Sequence, residues 1–239
     1  MSNPTASPIF EICYGPMKSG KSRYLIAKAE TLQQNKQSFL AFKPLQDTRD
    51  GSYLRSRDEQ CRDIQALPIS NSQQILDYVE QAQQAPAQLL QATQNSETSA
   101  LRIQDSFLPN QPLTACLIDE VFLLDSKLLM ILHSIKAKGI SVYMSGLDRD
   151  FRGEYFPLAA SLNKQISMKE IIENCDQALA LMAFCEVCEQ PAALTQRLIA
   201  GQPAPYSSPT VLIGDEEYQP RCREHHQVIG HPESLTAVS

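Results

Sequence analysis

The octet Gly15-Pro16-Met17-Lys18-Ser19-Gly20-Lys21-Ser22 constrains the fold of this chain more than any other stretch. It fits G-x-x-x-x-G-K-[ST], a loop whose glycines let backbone N–H groups turn inward around phosphate oxygens. Such a loop needs a strand before it and a helix after it. The apolar run Ile9-Phe10-Glu11-Ile12-Cys13-Tyr14 supplies the first, and Arg23-Tyr24-Leu25-Ile26-Ala27-Lys28-Ala29-Glu30 supplies the second. The helix adds its positive N-terminal end to the phosphate site. Gly15, Met17, Lys18, Ser19 and Gly20 form the cradle. Lys21 is placed to reach the β- and γ-phosphates of a triphosphate, and Ser22 to ligate Mg²⁺.

Downstream, apolar runs alternate with helix-like segments. Residues 8–14 read as a strand, 21–34 as a helix and 38–42 as a second strand, broken by Lys43-Pro44. Residues 45–63 are rich in charge and read as a loop. Residues 72–84 fit a helix, 113–118 a strand, 128–137 a helix and 140–145 a strand. Strands alternating with helices imply right-handed crossovers and a mostly parallel sheet with helices on both faces, an α/β fold. Residues 81–112, rich in Gln and Ala, read as an insertion or as a solvated helix with a linker. From residue 175 the alternation stops, and cysteines and prolines take over. The expected organisation is a nucleotide-binding unit over 1–174 and a small second unit over 175–239.

A net charge of −6 over 239 residues argues against a general nucleic-acid or anionic-membrane binder. No apolar run approaches the ~20 residues of a membrane span, and the first residues lack a basic and apolar signal pattern. A cytoplasmic protein is expected. Of the seven cysteines, Cys13 and Cys116 sit within apolar runs and read as buried small hydrophobes, and a disulfide framework is not expected.

Two constellations carry further chemistry. Asp119-Glu120 directly follows the apolar run 114–118. In open α/β sheets ligands bind at the carboxyl ends of strands, where a phosphate-loop protein needs an acid for Mg²⁺. Asp119 fits that role. Glu120 can activate water, as in an ATPase, or take a proton from a substrate hydroxyl, as in a kinase. The second constellation is Cys185-x-x-Cys188 with Cys222-x-x-His225, two close pairs of the kind that hold tetrahedral Zn²⁺. About 30 residues separate the pairs, more than the ~15–20 of a minimal ribbon. His226 competes with His225 for the fourth position, and His133 and His231 read as surface or packing residues. No nucleophile and base accompany the cluster, so its expected role is structural.

Together these motifs resemble the zinc-containing, cellular type of thymidine kinase, over most of residues 8–226. The octet is similar to that family's phosphate loop, including Pro16-Met17. Lys43-Pro44 with Asp47-Thr48-Arg49 resembles its K-P-x-x-D-x-R segment, and Asp119-Glu120 its D-E pair. Gly146-Leu147-Asp148-Arg149-Asp150-Phe151-Arg152-Gly153-Glu154 resembles the G-L-x-x-D-F-R-G-E stretch of bacterial members. Residues 192–198 are similar to the strand following the first cysteine pair, and Tyr218 to a loop tyrosine. The resemblance implies transfer of the ATP γ-phosphate to the 5′-hydroxyl of thymidine, with Glu120 as general base and Arg49 steadying the phosphate. It implies that Met17, Leu147, Thr195 and Tyr218 surround the thymine methyl, that Phe151 packs on the base, and that residues 211–217, including Ile213 and Gly214, clamp its edges. It also implies a homotetramer. Phe122 stands where the family has Gln, and Ile213-Gly214 where it has Gly-Gly. The competing expectations are an ATPase, which would hydrolyse ATP without a nucleoside, and a non-catalytic nucleotide-binding zinc protein, against which Lys21, Ser22, Arg49, Asp119 and Glu120 together argue.

Overall fold

The computed structural model describes residues 7–48, 51–56, 61–94, 106–159, 166–210 and 218–232. In chain order the elements are β1 (Phe10–Tyr14), α1 (Lys21–Gln34), β2 (Ser38–Pro44), β3 (Tyr53–Leu54), β4 (Ile64–Gln65), β5 (Leu67–Ile69), α2 (Gln73–Gln84), α3 (Pro86–Gln94) and β6 (Leu113–Ile118). They continue with a 3₁₀ turn (Val121–Leu123), α4 (Leu128–Ala137), β7 (Ser141–Gly146), α5 (Met168–Glu173) and β8 (Gln177–Ala180). The last are β9 (Ala183–Phe184), β10 (Pro191–Ala192), β11 (Leu194–Ile199), β12 (Gln202–Pro203) and β13 (Tyr218–Arg221).

Six strands form one sheet in the order β5-β2-β6-β7-β1-β8. Every neighbouring pair in it is parallel. Its centre is apolar on both faces because helices cover both, and the period of two sorts the side chains. Phe10, Ile12, Leu40, Phe42, Cys116, Ile118, Val142 and Met144 share one core with Ile75 and Val79 of α2, Leu128, Ile131 and Ile135 of α4, and Met168 and Ile171 of α5. Phe39, Ala41, Ala115 and Leu117 face the other way, against Leu25, Ile26, Ala29 and Leu32 of α1. Cys13 and Cys116 are buried, as their apolar neighbours imply.

Three details differ from the sequence-based expectation. Strand β2 runs through Lys43 and Pro44 instead of stopping before them. Its pairing with β6 ends at Phe42, and residues 43–44 pair with β5 alone, so the donor that Pro44 lacks is not needed on the β6 side. Residues 177–180 lie beyond the change of composition at 175, yet they form the sixth strand of the main sheet on β1. Finally, the Gln-rich stretch is not all solvated: Leu89 of α3 and Phe107 are buried in the main core.

The remaining strands are short. β9 pairs with β10, and β11 lies between β12 and β13, all antiparallel. These hairpins carry the Cys/His residues and lean on the phosphate loop.

Candidate active site

Four neighbouring strands, β2, β6, β7 and β1, end side by side, and each delivers functional groups at its carboxyl end. β1 delivers the phosphate loop. Gly15 has φ 149°, and a Cβ there would lie 2.2 Å from the Leu181 carbonyl oxygen, so no side chain fits. Leu181 N–H in turn donates to Tyr14 O at 2.7 Å, which pins the start of the loop to the strand leaving β8. Gly20, at φ 90°, caps α1 without a side chain, and leaves the first-turn N–H groups to an anion. Ser19 Oγ is buried with no hydrogen-bond partner among the described residues, as a donor to a phosphate oxygen would be. Lys21 is buried at the first position of α1, and its Nζ donates to Gly15 O (3.0 Å) and Pro16 O (2.7 Å) within the loop. Burial lowers its pKa, while Glu120 and Asp119 hold it up. Ser22 follows half-buried in the first turn.

Gly15→Ala would force the loop away from Leu181. Displacing a positioning loop by about 1 Å costs ~10²-fold in rate, so turnover and ATP affinity should both collapse. Titration with a fluorescent ATP analogue checks this, and parental affinity in the variant would contradict the packing described.

β6 delivers the acids. Asp119 N–H donates to Phe42 O at 3.0 Å, which sets the residue between β2 and β7. Ser145 Oγ of β7 donates to Asp119 Oδ1, and Glu120 N–H donates to the same oxygen at 3.0 Å. Burial, then the nearby Glu120 charge, push the Asp119 carboxyl up to about 7, against the pull of the Ser145 hydrogen bond. Glu120 is buried and sits in the left-handed region at φ 48°, ψ 47°, ahead of the 3₁₀ turn. A non-glycine residue there holds an unfavourable conformation of order 1–3 kcal/mol, a cost that clusters at functional sites.

The end of β2 adds a feature to which the sequence assigned no role. Lys43 Nζ lies 3.4 Å from Asp47 Oδ2, with both side chains 3% exposed, and both charges act on Asp119. The K-P-x-x-D spacing was visible; its burial beside Asp119 was not. The Ser145 contact had no sequence signal at all, since serine near the end of a strand is commonplace.

The residues expected around a base lie on the other side of the loop. Met17 N–H donates to Thr195 Oγ1 at 3.0 Å, so phosphate loop and β11 meet directly. Leu147 and Phe151 are buried, and Phe151 lies beneath two guanidinium groups, Arg152 at 5.3 Å and Arg197 at 5.6 Å from its ring centre. Arg197 also reaches the Tyr218 ring at 6.0 Å. Phe122 stacks against Phe156 with ring centres 4.5 Å apart, a packing role that glutamine could not fill. Arg49, Ile213 and Gly214 lie outside the described residues.

The side-chain donors of Cys185, Cys188, Cys222 and His225 all lie within 4.8 Å of one another. Each pair forms a tight turn: Glu189 N–H donates to Cys185 O at 2.8 Å, and His225 N–H to Cys222 O at 3.2 Å. Cys188 Sγ and Cys222 Sγ are 3.7 Å apart, and His225 Nδ1 is 3.2 Å from Cys222 Sγ and 3.9 Å from Cys185 Sγ. Four ligands at Zn–S ≈ 2.3 Å and Zn–N ≈ 2.0 Å on a tetrahedron stand about 3.5–3.8 Å apart, so this donor set fits Zn²⁺. His226 does not join it; its Nε2 is 2.9 Å from Phe151 O. His133 packs edge-on to Phe10, and His231 edge-on to Tyr206.

A parallel α/β sheet with a phosphate loop after its first strand, and acids at the end of the strand next but one in the sheet, defines a phosphate-loop nucleotide-binding protein. Comparison with known proteins narrows the class. The thymidine kinase family model matches residues 9–85 and 83–226. The thymidine kinase of Mycoplasmoides gallisepticum is 33% identical over 230 residues, 95% of this chain and 85% of that protein. The thymidine kinase of Thermococcus kodakarensis is 32% identical over 219 residues, 91% of this chain and 93% of that protein. The chain belongs to the thymidine kinase family. Among the described residues no helix is long and apolar enough to cross a membrane.

Proposed function

We propose that this protein transfers the γ-phosphate of ATP to the 5′-hydroxyl of thymidine. The observation that carries the proposal is the convergence of Lys21, Asp119 and Glu120 at the carboxyl ends of β1 and β6, with both acids acting on Lys21 and Glu120 acting on Asp119, in a chain of the thymidine kinase family. The loop N–H groups and Lys21 bind the triphosphate; Lys21 exchanges its bonds to Gly15 and Pro16 carbonyls for phosphate oxygens. Ser22 and Asp119 hold Mg²⁺, which supplies charge neutralisation at the phosphates. Glu120 takes the proton of the attacking hydroxyl, and Arg49 steadies the phosphate in transfer. The short strands from β9 onward belong to a second unit that faces the base.

Met17, Leu147, Thr195 and Tyr218 line the thymine methyl, and Phe151 packs on the base. One buried methyl is worth about 1 kcal/mol, so thymidine should be preferred over deoxyuridine by only about fivefold in kcat/KM. A coupled assay of ADP release dependent on each nucleoside measures this. Equal activity with both would remove the methyl pocket.

Asp119 must lose its proton to hold a cation. Its carboxyl is pushed up to about 7, so below that pH protons compete with Mg²⁺. The Mg²⁺ concentration for half-maximal turnover should therefore rise as pH falls through about 7, and Asp119→Asn should abolish that dependence along with most activity. Mg²⁺ titrations at several pH values check the sign.

Zn²⁺ held by Cys185, Cys188, Cys222 and His225 has a structural role in this proposal. The same family reading makes the protein cytoplasmic and homotetrameric; light scattering on the purified protein tests the assembly.

A further inference from the structure

Three successive residues after the second cysteine turn reach in three directions. His225 points its Nδ1 into the Cys/His cluster. Gln227 is fastened to β11: its N–H donates to Gln196 Oε1 at 2.7 Å, and its carbonyl accepts from Gln196 Nε2 at 2.8 Å, with the Gln196 side chain buried. Between them, His226 Nε2 meets Phe151 O at 2.9 Å. A carbonyl can only accept, so that nitrogen carries the proton. Next to Gln196 on β11, Thr195 Oγ1 accepts from Met17 N–H. Gly153, two residues beyond Phe151, turns at φ 84°, and a Cβ there would lie 4.0 Å from His226 Cε1.

We propose that His226 is a positioning residue that ties the Cys/His cluster to the Phe151 loop, beside the anchor of Gln227 on β11, so that the metal turn sets where the base-facing groups sit. The proposal rests on the thymidine kinase reading for the identity of the ligand; the contacts stand without it. The chain of contacts is continuous: Cys222 and His225 to His226, His226 to the Phe151 carbonyl, and from His226 through Gln227 and Gln196 to Thr195 and the phosphate loop. Each link is a hydrogen bond or a peptide bond, so a shift of the Cys222 turn is transmitted rather than absorbed. Exposed segments offer no substitute. Met182, Phe184 and Val187 beside the cluster stand more than half exposed, and so little buried apolar surface exists there to hold the turn in place. This also explains why His226 is not a ligand although it is adjacent to one: its ring is committed to the opposite side of the turn.

His226→Ala leaves the Phe151 carbonyl without its donor, and His226→Gln restores one N–H donor of similar reach. Four quantities are read on the purified, metal-replete proteins: zinc per chain, thymidine affinity by calorimetry, ATP-analogue affinity, and the split between KM and kcat. The expected result for His226→Ala is one zinc per chain, ATP affinity and kcat within about threefold of the parent, and thymidine Kd and KM raised roughly tenfold, the cost of a stranded buried acceptor. His226→Gln should recover most of that loss. If the alanine variant does not fold, the glutamine variant alone decides: parental zinc with thymidine Kd raised less than tenfold but measurably supports the proposal. Loss of zinc in either soluble variant overturns it, by making His226 a ligand. Parental thymidine Kd in His226→Ala overturns it as well. Failure of the parent protein to bind thymidine at all would fault the substrate reading instead, and the contact network would then be probed by the position of the Phe151 aromatic resonances in parent and variant, unchanged resonances overturning the proposal.

Discussion

Glu120→Gln should lose ~10²–10⁴-fold in turnover, the usual contribution of a general base, while keeping its affinity for Mg-ATP. Glutamine is nearly isosteric and fits the same buried, left-handed position at the head of the 3₁₀ turn. It cannot accept the proton of the nucleoside hydroxyl. Lys21→Ala gives the contrasting pattern. Lys21 is buried against the loop carbonyls, and in the proposed reaction it would hold the phosphates, so its loss should weaken nucleotide binding and turnover together. Single-turnover kinetics with separate nucleotide titrations distinguish the two. Turnover of Glu120→Gln within a few-fold of the parent would assign the proton to another group.

Removing the metal should have an effect of similar size at a different step. The strands around the cluster are two to six residues long, and large apolar side chains beside it, Phe184 at 73% and Met182 at 63% exposure, contribute little burial. Structural Zn²⁺ supplies roughly 10–16 kcal/mol of apparent binding free energy in small domains, more than such hairpins gain from packing. Cys222→Ser or chelation should therefore release the turn that carries His225 and His226, and with it Thr195 and Phe151. Thymidine binding is then lost, while ATP binding survives in part, because Gly15, Lys21 and Asp119 belong to the main sheet. Elemental analysis paired with calorimetry for each ligand checks this. A Cys222→Ser protein with full zinc content and parental thymidine affinity would reassign the ligands.

The sheet was legible because it is buried on both faces. A continuous apolar run marked β6 with its bounds, and apolar residues at helical spacing marked α1 and α4. β8 escaped notice for the opposite reason: Gln177-Ala178-Leu179-Ala180 is a short, exposed edge that takes its strand conformation from β1 and not from its own composition. The phosphate loop, the acid pair and the cysteine pairs announce themselves because each chemistry demands fixed residue types at fixed spacing. The Lys43–Asp47 pair, the Ser145 contact and the bond from His226 to Phe151 depend on which strand ends and turns become neighbours, which spacing does not encode. The fourth position of the metal cluster shows the boundary well. Cys-x-x-His spacing favours His225, but only the turn geometry, with His226 turned toward Phe151, separates the two rings.

The most direct test follows the γ-phosphate itself. Purified, zinc-replete protein is given Mg²⁺ and ATP labelled at the γ-position, with and without thymidine. Transfer of the γ-phosphate from ATP to a nucleoside hydroxyl, with Glu120 as the base, predicts label in thymidine monophosphate and little in inorganic phosphate, with consumption of ATP dependent on thymidine. Label released as inorganic phosphate at the same rate without nucleoside, and none in thymidine monophosphate, would contradict it and make Glu120 the activator of water.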